Sequence, residues 1–249
     1  MLRLFDKVKR KANRMQINQA IILAGGRGER LRPFTYDRPK PMIEVFDHPI
    51  LYYVLTWLKK WGFKKAVIAC SYKYEVISEY FGNGKDIGLD ISYSLEEKSL
   101  GRGGGIKLAS YQLLDCNSPV LIINGDVITN LSLNDFCDFH NTKKAKITIV
   151  TVPLRSPYGI VEINDKDLAV QFREKPILDY WINAGIYLIN KSMFAQFPDI
   201  GDHEEILFPS LAIQNDLHAY KFKGFWRTVD TGKDLEELKK EEETLCAWT

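Results

Sequence analysis

A glycine-rich loop flanked by basic residues lies close to the start of the sequence. The apolar run Gln19–Leu23 ends at a loop, Ala24–Gly28, that holds three glycines, a pattern typical of a buried strand followed by a binding loop. Backbone N–H groups of glycine approach phosphate oxygens closely because no Cβ intervenes. Arg30 follows the loop, and Lys40 stands between two prolines that restrict its backbone. Two cations beside such a loop predict a site for a nucleoside triphosphate whose leaving group is pyrophosphate.

Two common phosphate-binding patterns do not match this loop. Leu31 stands where the dinucleotide-binding pattern GxGxxG has its third glycine, and the chain has no GKS or GKT of a P-loop. The alternative interpretation of the loop is a tight turn that carries basic residues on the surface.

Two aspartates at the ends of predicted strands are candidates for a metal site. Asp126 ends the run Val120–Asp126, and Asp230 ends the run Phe225–Asp230. Mg²⁺ on phosphate substrates is usually held by one or two carboxylates together with phosphate oxygens and waters. The two aspartates therefore predict a shared Mg²⁺ site if the fold brings these strand ends together. As an alternative, each acts only in a helix cap or an Asx turn.

An acid and a base stand next to each other before a proline in the second half of the chain. Glu174 offers an acceptor for sugar hydroxyls, and Lys175 offers a cation for a phosphate. Adjacent residues of a strand point to opposite faces, so the pair needs a turn to act together, and Pro176 favours one. A solvated pair of charges at a sheet edge is the alternative.

Strand-like and helix-like runs alternate through the first half of the sequence. This alternation predicts an α/β architecture with a Rossmann-like, mostly parallel mixed sheet flanked by helices. From Lys146 onward strand-like runs dominate, which predicts an extension of the sheet and a smaller β-rich substrate lobe. Three of the predicted helices are Gly105–Leu114, Glu204–Gln214 with an interruption at Pro209, and a closing helix from Leu235 to about Trp248.

Length and composition exclude several classes of protein. The chain has 249 residues, of which 45% are hydrophobic, and a formal net charge of +2, which suits one large domain from residue 16 to 249 after a basic extension at 1–15. The apolar runs are shorter than the roughly 20 residues of a transmembrane helix, and the overall charge does not indicate a nucleic-acid binder. The scattered cysteines and the lack of a secretory segment predict a cytoplasmic protein.

The extension at 1–15 differs in charge from the rest of the chain. It holds six Lys or Arg residues against Asp6 alone, with apolar residues at helical spacing on the opposite side. This pattern is either a basic helix that makes a peripheral contact with an anionic membrane or a partner, or a solvated tail.

Several short motifs, taken in order, resemble one enzyme family. They are Leu23–Leu31 (LAGGRGERL), Pro39–Pro41 (PKP), Leu100–Gly104 (LGRGG), Asn124–Asp126 (NGD), Tyr158–Gly159 (YG), Glu174–Pro176 (EKP), Asn183–Gly185 (NAG) and Val229–Gly232 (VDTG). Through them the chain resembles the sugar-1-phosphate nucleotidyltransferases, also called NDP-sugar pyrophosphorylases. Its motifs look most similar to those of mannose- or heptose-1-phosphate guanylyltransferases.

This resemblance implies a glycosyltransferase-A-like fold in which the smaller lobe binds the sugar. It implies a reaction of a nucleoside triphosphate with a sugar 1-phosphate that gives an NDP-sugar and pyrophosphate, with Mg²⁺ as cofactor. The catalytic residues it implies are Arg30, Lys40, Asp126 and Lys175. The nucleotide-binding residues it implies are Leu23, Gly25, Gly26, Arg30, Lys40 and Gly101. The sugar-phosphate-binding residues it implies are Gly159, Glu174, Lys175 and Asn183, and the metal ligands are Asp126 and Asp230.

Two positions depart from the family pattern, and they leave the base open. Glu29 and Arg102 stand where threonine is common in the family, and Arg102 lies near the expected base site. GTP with a mannose- or heptose-type 1-phosphate is favoured, and uridylyl, thymidylyl or cytidylyl transfer to another sugar 1-phosphate is the alternative.

Two further questions stay open at this stage. A non-catalytic subunit that binds a nucleotide sugar and regulates a partner is another alternative. The retention of the full set of cationic and metal-binding residues argues against it, namely Arg30, Lys40, Asp126, Lys175 and Asp230. The sequence does not decide whether the chain forms a homo-oligomer.

Overall fold

The structure is a computed structural model that describes residues 17–114 and 118–241. The predicted basic extension at 1–15 lies outside these residues, as does the predicted end of the closing helix beyond residue 241.

Strands and helices alternate through the described part of the chain. The strands are β1 (Gln19–Leu23), β2 (Glu44–Val45), β3 (His48–Pro49), β4 (Lys65–Cys70), β5 (Asp90–Leu95), β6 (Val120–Asn124), β7 (Val127–Thr129), β8 (Ile147–Arg155), β9 (Ile160–Ile163), β10 (Ala169–Arg173), β11 (Ile177–Ile189), β12 (Leu217–Lys221) and β13 (Trp226–Thr228). The α-helices are α1 (Ile50–Lys60), α2 (Tyr74–Phe81), α3 (Gly101–Ser110), α4 (Leu133–Thr142), α5 (His203–Ile213) and α6 (Gly232–Lys239). Short 3₁₀ helices lie at Glu29–Leu31, Lys40–Met42 and Lys191–Gln196.

Seven strands form the central sheet in the order β12-β8-β11-β6-β1-β4-β5. β1 is parallel to both of its neighbours, β4 and β6, and β5 is parallel to β4. β11 runs antiparallel between β6 and β8, and β12 is parallel to β8. The sheet is therefore mixed and mostly parallel, as predicted, and the carboxyl ends of β1, β4, β5 and β6 meet at one edge.

Helices cover both faces of the sheet because its central strands are apolar on both sides. In β1, Ala20 and Ile22 face the core that contains α1, α2 and α4, whereas Ile21 faces the core that contains α3 and α5. All three residues are fully buried. This two-sided burial explains why the strand is a continuous apolar run with no alternation.

β9 and β10 form a two-stranded antiparallel hairpin that is separate from the central sheet, and this hairpin corresponds to the predicted β-rich part of the second half. One of its faces is polar, since Arg173 forms an ion pair with Glu162 at 3.1 Å. The other face carries Val161 and Phe172, which are cross-strand partners and both exposed.

Two predicted helices differ in the structure. α3 begins at Gly101, four residues before the predicted start, because its first turn packs tightly on the segment before α5, where a Cβ on Gly103 would lie 2.9 Å from the carbonyl oxygen of Gly201. α5 is continuous through Pro209, so the predicted interruption is wrong. Both Pro209 and Glu205 are exposed, so water can satisfy the Glu205 carbonyl that lacks its usual N–H partner.

Among the described residues, no helix combines the length and the apolar character that crossing a bilayer requires.

Candidate functional site

A cleft of about 630 Å³ opens at the edge of the sheet where β1, β4, β5 and β6 end. The loops that follow these four strands form most of its wall, which is where open α/β sheets bind ligands. The cleft collects every residue of the predicted nucleotide and metal sites, namely Leu23, Gly25, Gly26, Arg30, Lys40, Gly101, Asp126 and Asp230.

The loop after β1 folds back on itself and brings Lys40 under the glycines. The Thr35 hydroxyl donates to the carbonyl oxygen of Gly28 at 2.8 Å. Gly28 has a φ of +60°, and a Cβ there would lie 2.9 Å from Thr35 Cγ2 and 3.1 Å from Lys40 Cβ, so only glycine suits the position. Lys40 begins a 3₁₀ helix after Pro39, which holds its backbone in the cleft wall.

Four charged side chains form a cluster at one end of the cleft. The Lys40 ammonium donates to Asp230 Oδ1 at 2.8 Å and also contacts Asp126 Oδ2. Arg30 Nη2 donates to the same Asp230 oxygen at 2.8 Å. Lys40 and Asp126 are only 15% exposed, whereas Arg30 is 77% exposed, so the cluster has a buried centre and an exposed cation at its mouth.

A short strand pair brings the two aspartates together. β13 pairs antiparallel with β7, with Thr228 opposite Val127. Asp126 immediately precedes β7 and Asp230 follows β13, so the ladder sets the two carboxylates side by side at one end. Asp234 then fixes Asp230 in place, because its carboxylate accepts the Asp230 backbone N–H at 3.0 Å.

The pKa values of this cluster follow from its charges. Burial by itself raises the pKa of Asp230, but the hydrogen bond and charge of Lys40 and the charge of Arg30 outweigh it and lower that pKa. Burial lowers the pKa of Lys40, but Asp126 and Asp230 outweigh it and raise that pKa. These shifts keep Lys40 protonated and Asp230 ionised at neutral pH.

The contacts of the Lys40 ammonium indicate whether the two aspartates are close enough to hold one metal ion. One cation already contacts both carboxylates, so the pair is close enough to share a divalent ion. No group of three or more His, Cys, Asp or Glu side chains suited to a metal occurs within 17–114 and 118–241. A two-carboxylate site fits Mg²⁺ that takes its remaining ligands from phosphate oxygens and waters.

Glu96 lies in the wall of the cleft, although no sequence motif singled it out. Its Oε2 accepts the backbone N–H of Leu100 at 2.9 Å, just before α3. Its Oε1 faces two glycines of the cleft, since a Cβ would lie 3.7 Å from this oxygen at Gly25 and 2.6 Å from it at Gly105. The available signal was its position directly after a predicted strand at the functional edge of the sheet.

Arg102 lies in the wall of the same cleft and is held from behind by two acids. Its guanidinium contacts Asp202 through Nε at 2.6 Å and through Nη2 at 2.5 Å, and it contacts Glu204 Oε2 at 3.0 Å. Glu204 in turn accepts hydrogen bonds from Tyr187 and Asn183 through Oε1, at 2.8 and 2.9 Å. These bonds link the first turn of α3 to α5 and β11.

The predicted sugar-phosphate residues are not part of the cleft wall in the described part of the chain. Gly159 and Glu174 are neighbours, since a Cβ on Gly159 would lie 3.0 Å from Glu174 Oε2. Lys175 has a φ of +44°, so the predicted turn between β10 and β11 is present. The Asn183 amide group is engaged by Tyr187, Glu204 and the Gly185 backbone N–H.

The chain is similar to a known family and to curated proteins over most of its length. A family model described as nucleotidyl transferase matches residues 19–244. A mannose-1-phosphate guanylyltransferase of Mycobacterium tuberculosis is 34% identical over 226 residues, which cover 87% of this chain and 62% of that protein. A mannose-1-phosphate guanyltransferase of Debaryomyces hansenii is 34% identical over 246 residues, which cover 92% of this chain and 68% of that protein. This chain thus spans less than two thirds of the length of the first of these relatives.

Solved structures share the fold. The crystal structure of HddC from Yersinia pseudotuberculosis superposes with a TM-score of 0.72 at 24% identity, over 91% of this chain and all of that one. The same protein complexed with GMP-PN gives a TM-score of 0.72 at 23% identity, over the same shares of the two chains.

Proposed function

The chain belongs to the nucleotidyl transferase family, and we propose that it transfers a nucleotidyl group from a nucleoside triphosphate to a sugar 1-phosphate. The products are an NDP-sugar and pyrophosphate. The observation that carries the proposal is the cluster of Arg30, Lys40, Asp126 and Asp230 at one end of a cleft whose wall is a glycine-rich loop.

In the proposed reaction an oxygen of the sugar phosphate attacks the α-phosphorus of the triphosphate in line. The bond from the α-phosphorus to the bridging oxygen breaks, and pyrophosphate leaves. The attacking phosphate monoester is largely ionised at neutral pH, because its second pKa is about 6, so no general base is needed. The main barrier is the approach of two polyanions, and positioning and charge neutralisation lower it.

The charged cluster has the parts that such a reaction needs. Asp126 and Asp230 would hold Mg²⁺, which neutralises phosphate charge when bound. Arg30 and Lys40 would bind the triphosphate and stabilise the departing pyrophosphate. The glycine loop between β1 and Arg30 would donate backbone N–H groups to the nucleotide.

Glu96 supports guanine as the base. Guanine presents two adjacent donors, N1–H and N2–H₂, on its Watson–Crick edge, whereas uracil and thymine present one ring N–H there. A carboxylate can accept hydrogen bonds from both donors of guanine. The carboxylate of Glu96 lies beside Gly25 and Gly105 in the cleft. The names of the curated relatives agree with this choice, and GTP with a mannose-type 1-phosphate is therefore the proposed substrate pair.

The sugar 1-phosphate would bind near the hairpin of β9 and β10. Gly159, Glu174 and Asn183 would contact the sugar, and Lys175 would bind its phosphate, in keeping with the family motifs quoted above. The position of Glu174 and Lys175 after the end of β10 supports this assignment. Because the two residues are not in a strand, their side chains need not point to opposite faces.

We also propose that the protein works in the cytoplasm. Cys70 is a buried, unpaired thiol, as expected in a reducing compartment. A peripheral contact through the basic extension at 1–15 and a homo-oligomer remain proposals.

Pyrophosphate release tests the function directly. The purified chain is assayed with each of ATP, GTP, UTP, CTP and dTTP against mannose, heptose, glucose and N-acetylglucosamine 1-phosphates, with Mg²⁺. The expected result is the highest kcat/KM for GTP with a mannose-type 1-phosphate. Activity only with another base would overturn the choice of guanine. No release in any combination, with tight binding of a nucleotide sugar by calorimetry, would overturn the catalytic proposal in favour of a regulatory subunit.

A further inference from the structure

We propose that the Lys40 ammonium occupies the position between Asp126 and Asp230 that a divalent metal takes, so that metal binding must displace it. The displaced ammonium then becomes available to the triphosphate. In this way Lys40 couples metal binding to nucleotide binding. The inference rests on the proposed function, since it takes the two aspartates as the metal ligands.

The contacts of Lys40 define the position. Its Nζ contacts Asp126 Oδ2 and lies 2.8 Å from Asp230 Oδ1, so it sits between the two carboxylates. Mg²⁺ lies 2.0–2.1 Å from each of its oxygen ligands, so an ion bound to these same two oxygens, Asp126 Oδ2 and Asp230 Oδ1, would overlap the ammonium. The two cations cannot share this position, because both sterics and like charge oppose it.

The charges of the cluster explain why metal and nucleotide should bind together. The cluster consists of two cations, Arg30 and Lys40, and two carboxylates, so it has no excess positive charge to attract a triphosphate. A metal ion alone gains two carboxylates but leaves the mostly buried ammonium without an anion. When metal and triphosphate arrive together, the phosphate oxygens replace the carboxylates as partners of Lys40. Each ligand therefore strengthens the binding of the other.

The backbone allows Lys40 to make this exchange with its side chain alone. Pro39 and Pro41 flank it, and a Cβ on Gly125 would lie 3.2 Å from Pro41 Cγ, so the segment packs against the turn before Asp126. The ammonium thus stays inside the cleft after displacement. Arg30, which contacts Asp230 from the exposed side, has no such role, since it does not stand between the two aspartates.

Direct measurement of Mn²⁺ binding tests the proposal, with electron paramagnetic resonance reporting free Mn²⁺. Wild type, Lys40→Met and Lys146→Met are titrated with and without a non-hydrolysable GTP analogue. Lys146→Met is the matched control, because Lys146 forms a 2.7 Å ion pair with Asp216 on the surface and its loss changes the net charge equally. Thermal unfolding with and without Mn²⁺ gives a second readout and reports whether each variant is folded.

The expected result is that, without nucleotide, Lys40→Met binds Mn²⁺ at least about tenfold more tightly than wild type, because the competing ammonium is gone. The nucleotide analogue should tighten Mn²⁺ binding to wild type and to Lys146→Met much more than to Lys40→Met. Equal, weaker or absent Mn²⁺ binding by folded Lys40→Met would overturn the inference. Pyrophosphate release by wild type, measured in the same buffer, decides the proposed function separately.

Discussion

The side chains of Lys40 and Asp230 are joined by a 2.8 Å hydrogen bond, although 190 residues separate them in the chain. Lys40 comes from the loop that follows the first strand, and Asp230 comes from the turn that precedes α6. The Asp234 carboxylate accepts the backbone N–H of Asp230 at 3.0 Å and that of Thr231 at 2.7 Å, which holds this turn in place. The candidate site therefore depends on both ends of the domain being packed together.

Replacement of one carboxylate of the cluster should remove catalysis and keep the fold. Asp126→Asn retains an oxygen for Lys40 but loses the negative charge that a metal needs. The expected effect is a fall in kcat of roughly 10²–10³, by analogy with loss of one oxyanion donor. Steady-state pyrophosphate release checks it, with circular dichroism for folding. Asp138→Asn, on the exposed side of α4, is the control and should behave as wild type. Near-wild-type turnover of Asp126→Asn would remove this residue from the metal role.

The preference for guanine over other bases should depend on Glu96. Glu96→Gln keeps an acceptor for the Leu100 N–H. Its amide NH₂ would face one of the two N–H donors of guanine, and two donors cannot form a hydrogen bond. We expect kcat/KM for GTP to fall about 10–100-fold, while that for UTP falls less. Parallel assays with the two nucleotides check this ratio. Glu97→Gln changes the neighbouring exposed residue and should leave the ratio unchanged. Equal losses for both nucleotides would indicate that Glu96 acts only through α3.

The ion pairs of Arg102 with Asp202 and Glu204 should stabilise the fold. Arg102→Ala leaves Asp202 and Glu204, both partly buried, without their cation. We expect the free energy of unfolding to fall by about 1–2 kcal/mol, since the guanidinium itself is half-exposed.

The matched control uses another ion pair from the same helix. In Lys107→Ala, the lost partner is Asp199, which is 87% exposed, so the expected change is within about 0.5 kcal/mol. Urea unfolding of both variants gives the comparison. Equal losses in the two variants would contradict the role of burial.

The buried ring of His203 should make stability depend on pH. Burial lowers its pKa to about 4, and the ring packs against Phe197 and Phe208. Between pH 6.5 and 4 the unfolded chain therefore binds a proton that the folded chain does not, so stability falls as pH falls through this window.

The variant His203→Leu lacks the ring that binds this proton in the unfolded chain. It also removes two buried ring nitrogens that have no hydrogen-bond partner among the described residues. On acidification, the free energy of unfolding of this variant should fall less steeply than that of wild type. The two slopes should differ by up to about 1.4 kcal/mol per pH unit. Urea unfolding at several pH values checks the slope. Parallel curves for the two proteins would show that the ring does not carry the effect.

The residues proposed to bind phosphate could be located from the sequence because local patterns place them. A buried apolar run followed by glycines indicates a strand and a loop, and parallel strands present such loops at one edge. For this reason the loop at Leu23–Gly26 and Asp126 after β6 meet in one cleft, as predicted. Gly101 at the start of α3, which only the family resemblance implied, lies in the same cleft. The helix at Gly101 was misjudged because its glycines reflect close packing and not a loop.

The sequence by itself determined the α/β class, the strands that end at the cleft and the residue types available for phosphate chemistry, because these follow from periodicity and from neighbours in the chain. Only the tertiary structure decided that Asp230 lies beside Asp126, since that depends on the pairing of β13 with β7. It also decided that Lys40 bridges the two acids and that Glu96 faces the cleft. Contacts between distant segments depend on how whole elements pack, and no local pattern encodes that packing.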